Sequence, residues 1–192
     1  METKKKITHL IFLDFDGVMT SVEGGTSFLC CNTKSYYMEE EIKHRFKILH
    51  DNFPDMKIVL STAWCNHGAL DDPTPNWPWK GHDMKTPLPA LHKWLTEEGM
   101  FYGTISTEKK DKFGQHVTKY AKIKKWLKEH EDELDYEARI VVLDDDASDY
   151  NELRAIDSLL LKNGTIMFLQ TNYEKGFTYD DMMKVLNYFD LD

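Results

Sequence analysis

A chain of 192 residues with 41% hydrophobic and 12% aromatic residues has the length of one domain, at about 150 residues per domain. It carries too much apolar material for a disordered, collagen-like or low-complexity protein. Its 24 basic and 33 acidic side chains leave a net charge of −9, a field that repels polyanions and argues against general nucleic-acid or membrane-surface binding.

Residues 1–192 are therefore read as a single domain. The chain opens with Lys4, Lys5 and Lys6 ahead of an apolar stretch at 7–13 (ITHLIFL), a faint imitation of a secretory leader. Asp14 and Asp16 cut that stretch short and no small-residue cleavage site follows. No other apolar run approaches the roughly 20 residues of a membrane span. Three cysteines, Cys30, Cys31 and Cys65, are an odd number with two of them adjacent, which suits a reducing compartment. The expectation is a cytoplasmic protein with no membrane partner.

The 7–13 run is nearly continuous in apolar residues, as in a strand buried on both faces of a parallel sheet. Similar runs follow at 57–60 (KIVL), 140–143 (IVVL) and 166–169 (IMFL), with a weaker one near 100–105. Between them apolar residues fall at helical spacing: Ile42, Phe46 and Leu49, then Leu88, Leu91 and Leu95, with Gly99 where that helix would stop. Tyr120, Ile123 and Trp126 repeat the spacing, as do Met182, Val185, Leu186 and Phe189 behind a Thr178-x-x-Asp181 capping box. Strands alternating with helices predict a three-layer α/β fold, a parallel sheet with helices on both faces.

Two irregular stretches interrupt the alternation. One, at 20–35, contains Gly24 and Gly25; the other, at 66–86, interleaves Pro73, Pro75 and Pro78 with Trp77 and Trp79. Each exceeds the roughly 12 to 15 residues beyond which loops in compact domains tend to be functional or mobile. Each also follows the C-terminal end of a predicted strand, the edge at which open α/β sheets bind ligands.

Acidic residues cluster at the same edge: Asp14 and Asp16 after the first strand, and Asp144, Asp145, Asp146 and Asp149 after the 140–143 strand. If those strands are neighbours, at least four carboxylates converge, and their repulsion calls for a cation. Oxygen ligands with no His or Cys cluster select a hard ion, Mg²⁺. Ser61 and Thr62 add hydroxyls at the end of the second strand. Lys119, in the first turn of its helix, opposes the helix dipole unless it faces an anion. Mg²⁺, a hydroxyl and an ammonium group together point to a phosphorylated substrate.

The run IFLDFDGV resembles the first motif of the haloacid-dehalogenase-like superfamily, KIVLST its second, Lys119 or Lys122 its third, and IVVLDDDASD its acidic fourth. The resemblance implies a Rossmann-like sheet with the first strand central and the 140–143 strand beside it, and a Mg²⁺-dependent phosphatase. Asp14 would be the nucleophile and Asp16 the general acid and base. Asp14, the backbone carbonyl of Asp16, Asp144 and Asp145 would hold the metal. Ser61, rather than Thr62, would contact a phosphoryl oxygen, and Lys119 would offset the charge of nucleophile and phosphate.

The short spacing between motifs leaves no room for a large cap domain. Within the superfamily, the Ser61-Thr-x-Trp64 segment, the helix from Lys119 to Leu127 and the later Gly176-Phe177-Thr178 are similar to domains of RNA-repair-type proteins, although Cys65 stands where that group usually carries arginine.

Plainer readings compete with each of these. Asp-Gly is a common turn dipeptide, an acidic run is an ordinary helix start, and Asp149 is as well suited to capping a helix as to a site. Most of Lys119, Lys122, Lys124, Lys125 and Lys128 must form a solvated helix face. With Lys109, Lys110 and Lys112 they also form a candidate basic stripe for a nucleic-acid end. Trp77 and Trp79 suit base stacking or pinning of their own loop, and His9 reads as a packed strand residue. Two classes of function follow, a phosphatase acting on a nucleic-acid end, a nucleotide or metabolite, or a phosphoprotein, and a non-catalytic binding module with the same fold.

Overall fold

The computed structural model describes residues 5–26, 38–66, 70–71, 86–150, 160–161 and 164–191. Cys30, Cys31, the tryptophans and prolines of the 66–86 stretch and most of that stretch lie outside them, as does the second half of 20–35.

In chain order the elements are β1 (Ile7–Leu13), α1 (Glu40–Asn52), β2 (Lys57–Leu60), α2 (Leu88–Glu97), β3 (Phe101–Thr104), α3 (Lys119–Glu129), β4 (Leu134–Asp144), β5 (Leu160–Leu161), β6 (Gly164–Gln170) and α4 (Tyr179–Phe189). The sheet order is β3-β2-β1-β4-β6-β5. The first five strands in that order are parallel, and β5 closes one edge antiparallel to β6.

The period of two along each strand sorts the core into two layers. Ile11, Leu13, Ile58, Leu60, Val141 and Leu143 pack with the buried residues of α1, α2 and α4, while Leu10, Phe12, Val59, Ile140 and Val142 pack with Tyr120, Ile123 and Trp126 of α3. This is the three-layer Rossmann-like α/β fold, and the described elements include no cap domain.

The helix residues expected to face inward do so: Ile42, Phe46 and Leu49, then Leu88, Leu91 and Leu95, are all buried. Gly99 ends α2 at φ +73°, the left-handed conformation that a glycine adopts without a Cβ penalty. Thr178 Oγ1 accepts from the Asp181 N–H at 3.2 Å while Asp181 Oδ2 accepts from the Thr178 N–H at 3.1 Å, a closed capping box. His9 is packed between the rings of Phe53 and Phe189, at centroid distances of 4.6 and 4.8 Å.

Two differences from expectation concern the strands. β4 begins six residues before the apolar run: Leu134 pairs with Ile7 and Arg139 with His9, and the polar segment around the exposed Tyr136 lies between them as a shift in register. The antiparallel β5 is two residues long, too short to leave a period in the sequence. No helix among the described residues is long and apolar enough to cross a membrane.

Candidate active site

The parallel register brings three strand ends side by side. The Asp14 N–H donates to the Leu143 carbonyl at 3.0 Å, and the Ser61 N–H donates to the Leu13 carbonyl at 2.8 Å. Asp14 thus lies between the end of β4, which supplies Asp144, and the end of β2, which supplies Ser61.

Asp14, Asp144 and Asp145 each place a carboxylate oxygen within 4.8 Å of the others. Burial, with Asp144 adding to it, outweighs Lys119 and raises the pKa of Asp14 to about 8. Burial and Asp144 also raise Asp145 to about 6. The donor set is oxygen alone, and the crowding penalises its own charge, which fits a hard divalent cation such as Mg²⁺. The side chain of Asp16 lies outside this group.

Lys119 Nζ stands 3.3 Å from Asp14 Oδ1 and 2.7 Å from Asp144 Oδ2. Burial works against its charge, but the two carboxylates outweigh that and raise its pKa. Its unfavourable place in the first turn of α3 thereby gains the anionic partners it requires. Thr118 caps the helix by accepting from the Ala121 N–H at 3.2 Å, and Asp149 Oδ2 accepts from the Lys119 N–H at 3.2 Å. Asp149 therefore fixes the start of the helix that carries the lysine. Lys122, one turn further along, touches none of these carboxylates within ion-pair distance.

Asp16 is held separately. Trp64 Nε1 donates to Asp16 Oδ2 at 2.7 Å, while Asp16 Oδ1 is buried without a hydrogen-bond partner. Burial raises the Asp16 pKa, and the indole bond opposes the rise. An indole N–H only donates, so a proton on Asp16 belongs on Oδ1. Of the two hydroxyls at the end of β2, Thr62 Oγ1 accepts from the Trp64 N–H at 3.3 Å, whereas Ser61 Oγ is buried and unpartnered. Ser61 is the one left for a ligand.

Three supporting residues had no role in the sequence reading. Trp64 was visible only as part of a segment, since its meeting with Asp16 depends on β2 lying beside β1. Tyr150, fully buried, donates its hydroxyl to Asp144 Oδ2 at 2.8 Å, in a 3-10 turn just beyond the acidic run. Thr171 Oγ1 donates to the Gly17 carbonyl at 2.7 Å.

Gly17 itself sits at φ +65°, and a Cβ there would lie 2.6 Å from Asp145 Cβ and Cγ and 2.9 Å from Tyr173. Cys65 is a free thiol whose pKa burial raises to about 12, so it is inert as a nucleophile.

The raised carboxylate values set a pH dependence. An acid whose folded pKa exceeds its ordinary 3.8 binds its proton more tightly in the fold, so the folded state loses stability as pH rises from that value through about 6 and about 8. Asp14→Asn is expected to raise the metal-free melting temperature, by more at about pH 8 than at about pH 5. Thermal melts of both proteins in a chelator check this; a gain independent of pH would refute the crowding.

No curated protein and no solved structure matches the chain. A family does: the HAD domain in Swiss Army Knife RNA repair proteins matches residues 10–182. That span runs from within β1 into α4 and holds Asp14, Asp16, Ser61, Lys119, Asp144 and Asp145. With its central β1, its DFDG turn and its acidic β4 end, the chain belongs to this family of haloacid-dehalogenase-like (HAD) domains.

Proposed function

We propose that the chain is a Mg²⁺-dependent phosphomonoester hydrolase that works through a phospho-aspartate at Asp14. Membership of a HAD family supports a hydrolase. The observation that carries the finer reading is the Asp14, Asp144 and Asp145 group with the Lys119 ammonium on two of its members.

An Asp14 carboxylate oxygen attacks phosphorus as the bond to the leaving oxygen breaks, and Asp16 gives that oxygen its proton. Water then attacks the phospho-aspartate and passes a proton back to Asp16. Phosphate leaves and the Asp14 carboxylate is restored.

Ser61 Oγ donates to a phosphoryl oxygen, and Lys119 holds Asp14 in place while offsetting negative charge. Asp14, Asp144 and Asp145, with the backbone carbonyl of Asp16, would hold Mg²⁺, which would supply positive charge for the phosphoryl group.

Trp64 leaves Asp16 one free oxygen and so directs its proton. Trp64→Phe removes the donor and raises the Asp16 pKa further, since the lost bond favoured the ionised form. The expected result is a kcat lower by roughly tenfold or more, with the pH profile displaced upward. A pH–rate profile checks this, and an unshifted profile would deny Trp64 the role.

The family's association with RNA repair favours a phosphorylated nucleic-acid end as the substrate. Lys109, Lys110, Lys112, Lys124, Lys125 and Lys128 are exposed, which supports a role for them against its phosphate backbone. The test of the proposal is hydrolysis of an aryl phosphate, a nucleotide and a phosphorylated oligonucleotide, each with Mg²⁺ and with a chelator. Metal-dependent phosphate release from any of them is expected. Release from none would overturn it in favour of a non-catalytic module.

A further inference from the structure

Lys122 is the unexplained lysine of α3. It exposes only 7% of its surface, yet its ammonium has neither a hydrogen bond nor an ion pair among the described residues, where its backbone N–H bonds the Thr118 carbonyl. Its stem is buried while the ammonium keeps access to the surroundings, and partial burial with Lys119 nearby lowers its pKa against the opposing pull of Asp149 and Glu108.

The side chain lines a cavity of about 460 Å³ between α3 and the edge strand β3 with its continuation. Gly103, Ser106 and Thr107 form one wall, and Lys122, Lys125 and Trp126 the other. Lys125 is already paired with Glu108 at 3.2 Å. The one carboxylate on the cavity wall, Glu129, is exposed and two helical turns from Lys122.

The cavity adjoins the reaction site. Lys119 and Lys122 are one turn apart on α3 and so on the same side of the helix. The Ile105 N–H, on the cavity wall, donates to the Leu60 carbonyl at 3.0 Å, immediately before Ser61. A molecule with one phosphate at Asp14 and another anionic group close by has a cation for each.

We propose that the cavity between β3 and α3 receives, on Lys122, a second phosphate of a nucleotide substrate whose first phosphate is hydrolysed at Asp14. This rests on the phosphatase reading above and narrows its substrate class to nucleotides with a phosphate on either side of the sugar. Such a group occurs as a free nucleoside bisphosphate and as the terminal nucleotide of a polynucleotide.

The test compares adenosine 3′,5′-bisphosphate with the 3′- and 5′-monophosphates in wild type, Lys122→Met and Lys122→Arg, all with Mg²⁺. Wild type is expected to show a KM for the bisphosphate at least about tenfold below that of the monophosphates. Lys122→Met erases most of that ratio with little change in kcat, and Lys122→Arg restores part of it. Equal KM values in wild type, or a Lys122→Met loss shared by all three substrates, would overturn the proposal.

Thermal melts guard against a structural role: Lys122→Met is expected to melt no lower than wild type, and a clear drop would assign the lysine to the fold instead. Direct titration with the bisphosphate separates the two readings. Binding that needs Lys122 without any turnover would retain the subsite and remove the phosphatase. Turnover without discrimination would do the reverse. A phosphorylated oligonucleotide with a KM well below that of the bisphosphate would identify a polynucleotide end as the source, and equal values the free nucleotide.

Discussion

Asp14→Asn is expected to lower Mg²⁺-dependent turnover of an aryl phosphate on the order of 10⁴-fold or more. The amide cannot form the phosphoryl ester, and one of the three clustered carboxylates is lost with it. Because the substituted side chain is nearly isosteric and the buried charge is removed, the protein should stay folded. Far-UV dichroism and the melting temperature would show this alongside the kinetics. Equal turnover by the two proteins would mean that Asp14 is not the nucleophile.

Asp16→Asn should show a different kind of loss. General acid and base catalysis contributes about 10² to 10⁴ in rate. With a poor alkyl leaving group the first step needs the proton, so turnover should fall through most of that range. An aryl leaving group departs with little help, so Asp14 should still be phosphorylated while hydrolysis of the ester stalls.

The expected signature is a burst of released phenol close to one equivalent per enzyme, followed by a slow steady state. The amide oxygen can still accept from Trp64 Nε1, which donates to Oδ2 in the native protein, so position is preserved. A variant with neither burst nor turnover on the aryl ester would contradict the separation of roles between Asp14 and Asp16.

Much of the architecture is legible in the sequence because a parallel sheet buries both faces of its central strands. ITHLIFL, KIVL and IVVL therefore read as strands without any partner in view, and each lies within the corresponding element. The N-terminal half of β4 is polar and half-solvated, so only pairing with β1 reveals it.

At the site, Asp14, Asp144 and Asp145 could be picked out because acidic residues directly after apolar runs are costly without a purpose. Lys119 is preferred to Lys122 in the sequence on its place in the first turn of the helix, but both fall on one side of that helix, and it is the meeting with Asp14 and Asp144 that sets Lys119 apart. Ser61 and Thr62 likewise differ through a local bond to the Trp64 N–H. Trp64 and Tyr150 act through contacts that the order of strands and a short turn create, so the Ser61-Thr-x-Trp64 segment shows Trp64 without its meeting with Asp16, and no linear pattern shows the bond from Tyr150 to Asp144.

The missing Cβ of Gly17 has a consequence for how this protein can vary. The turn after β1 touches Asp145 after β4 and Tyr173 after β6 at a point where one more carbon does not fit. Thr171 fastens the Gly17 carbonyl and Gln170 the Asp145 carbonyl, both from the end of β6. Three segments far apart in the chain are thus keyed to one another like wards in a lock. Added bulk at Gly17 is expected to displace the side chains of Asp145 and Tyr173. Alanine at position 17 would spoil the spacing of the acidic group with every carboxylate still present, separating the need for charge from the need for its placement.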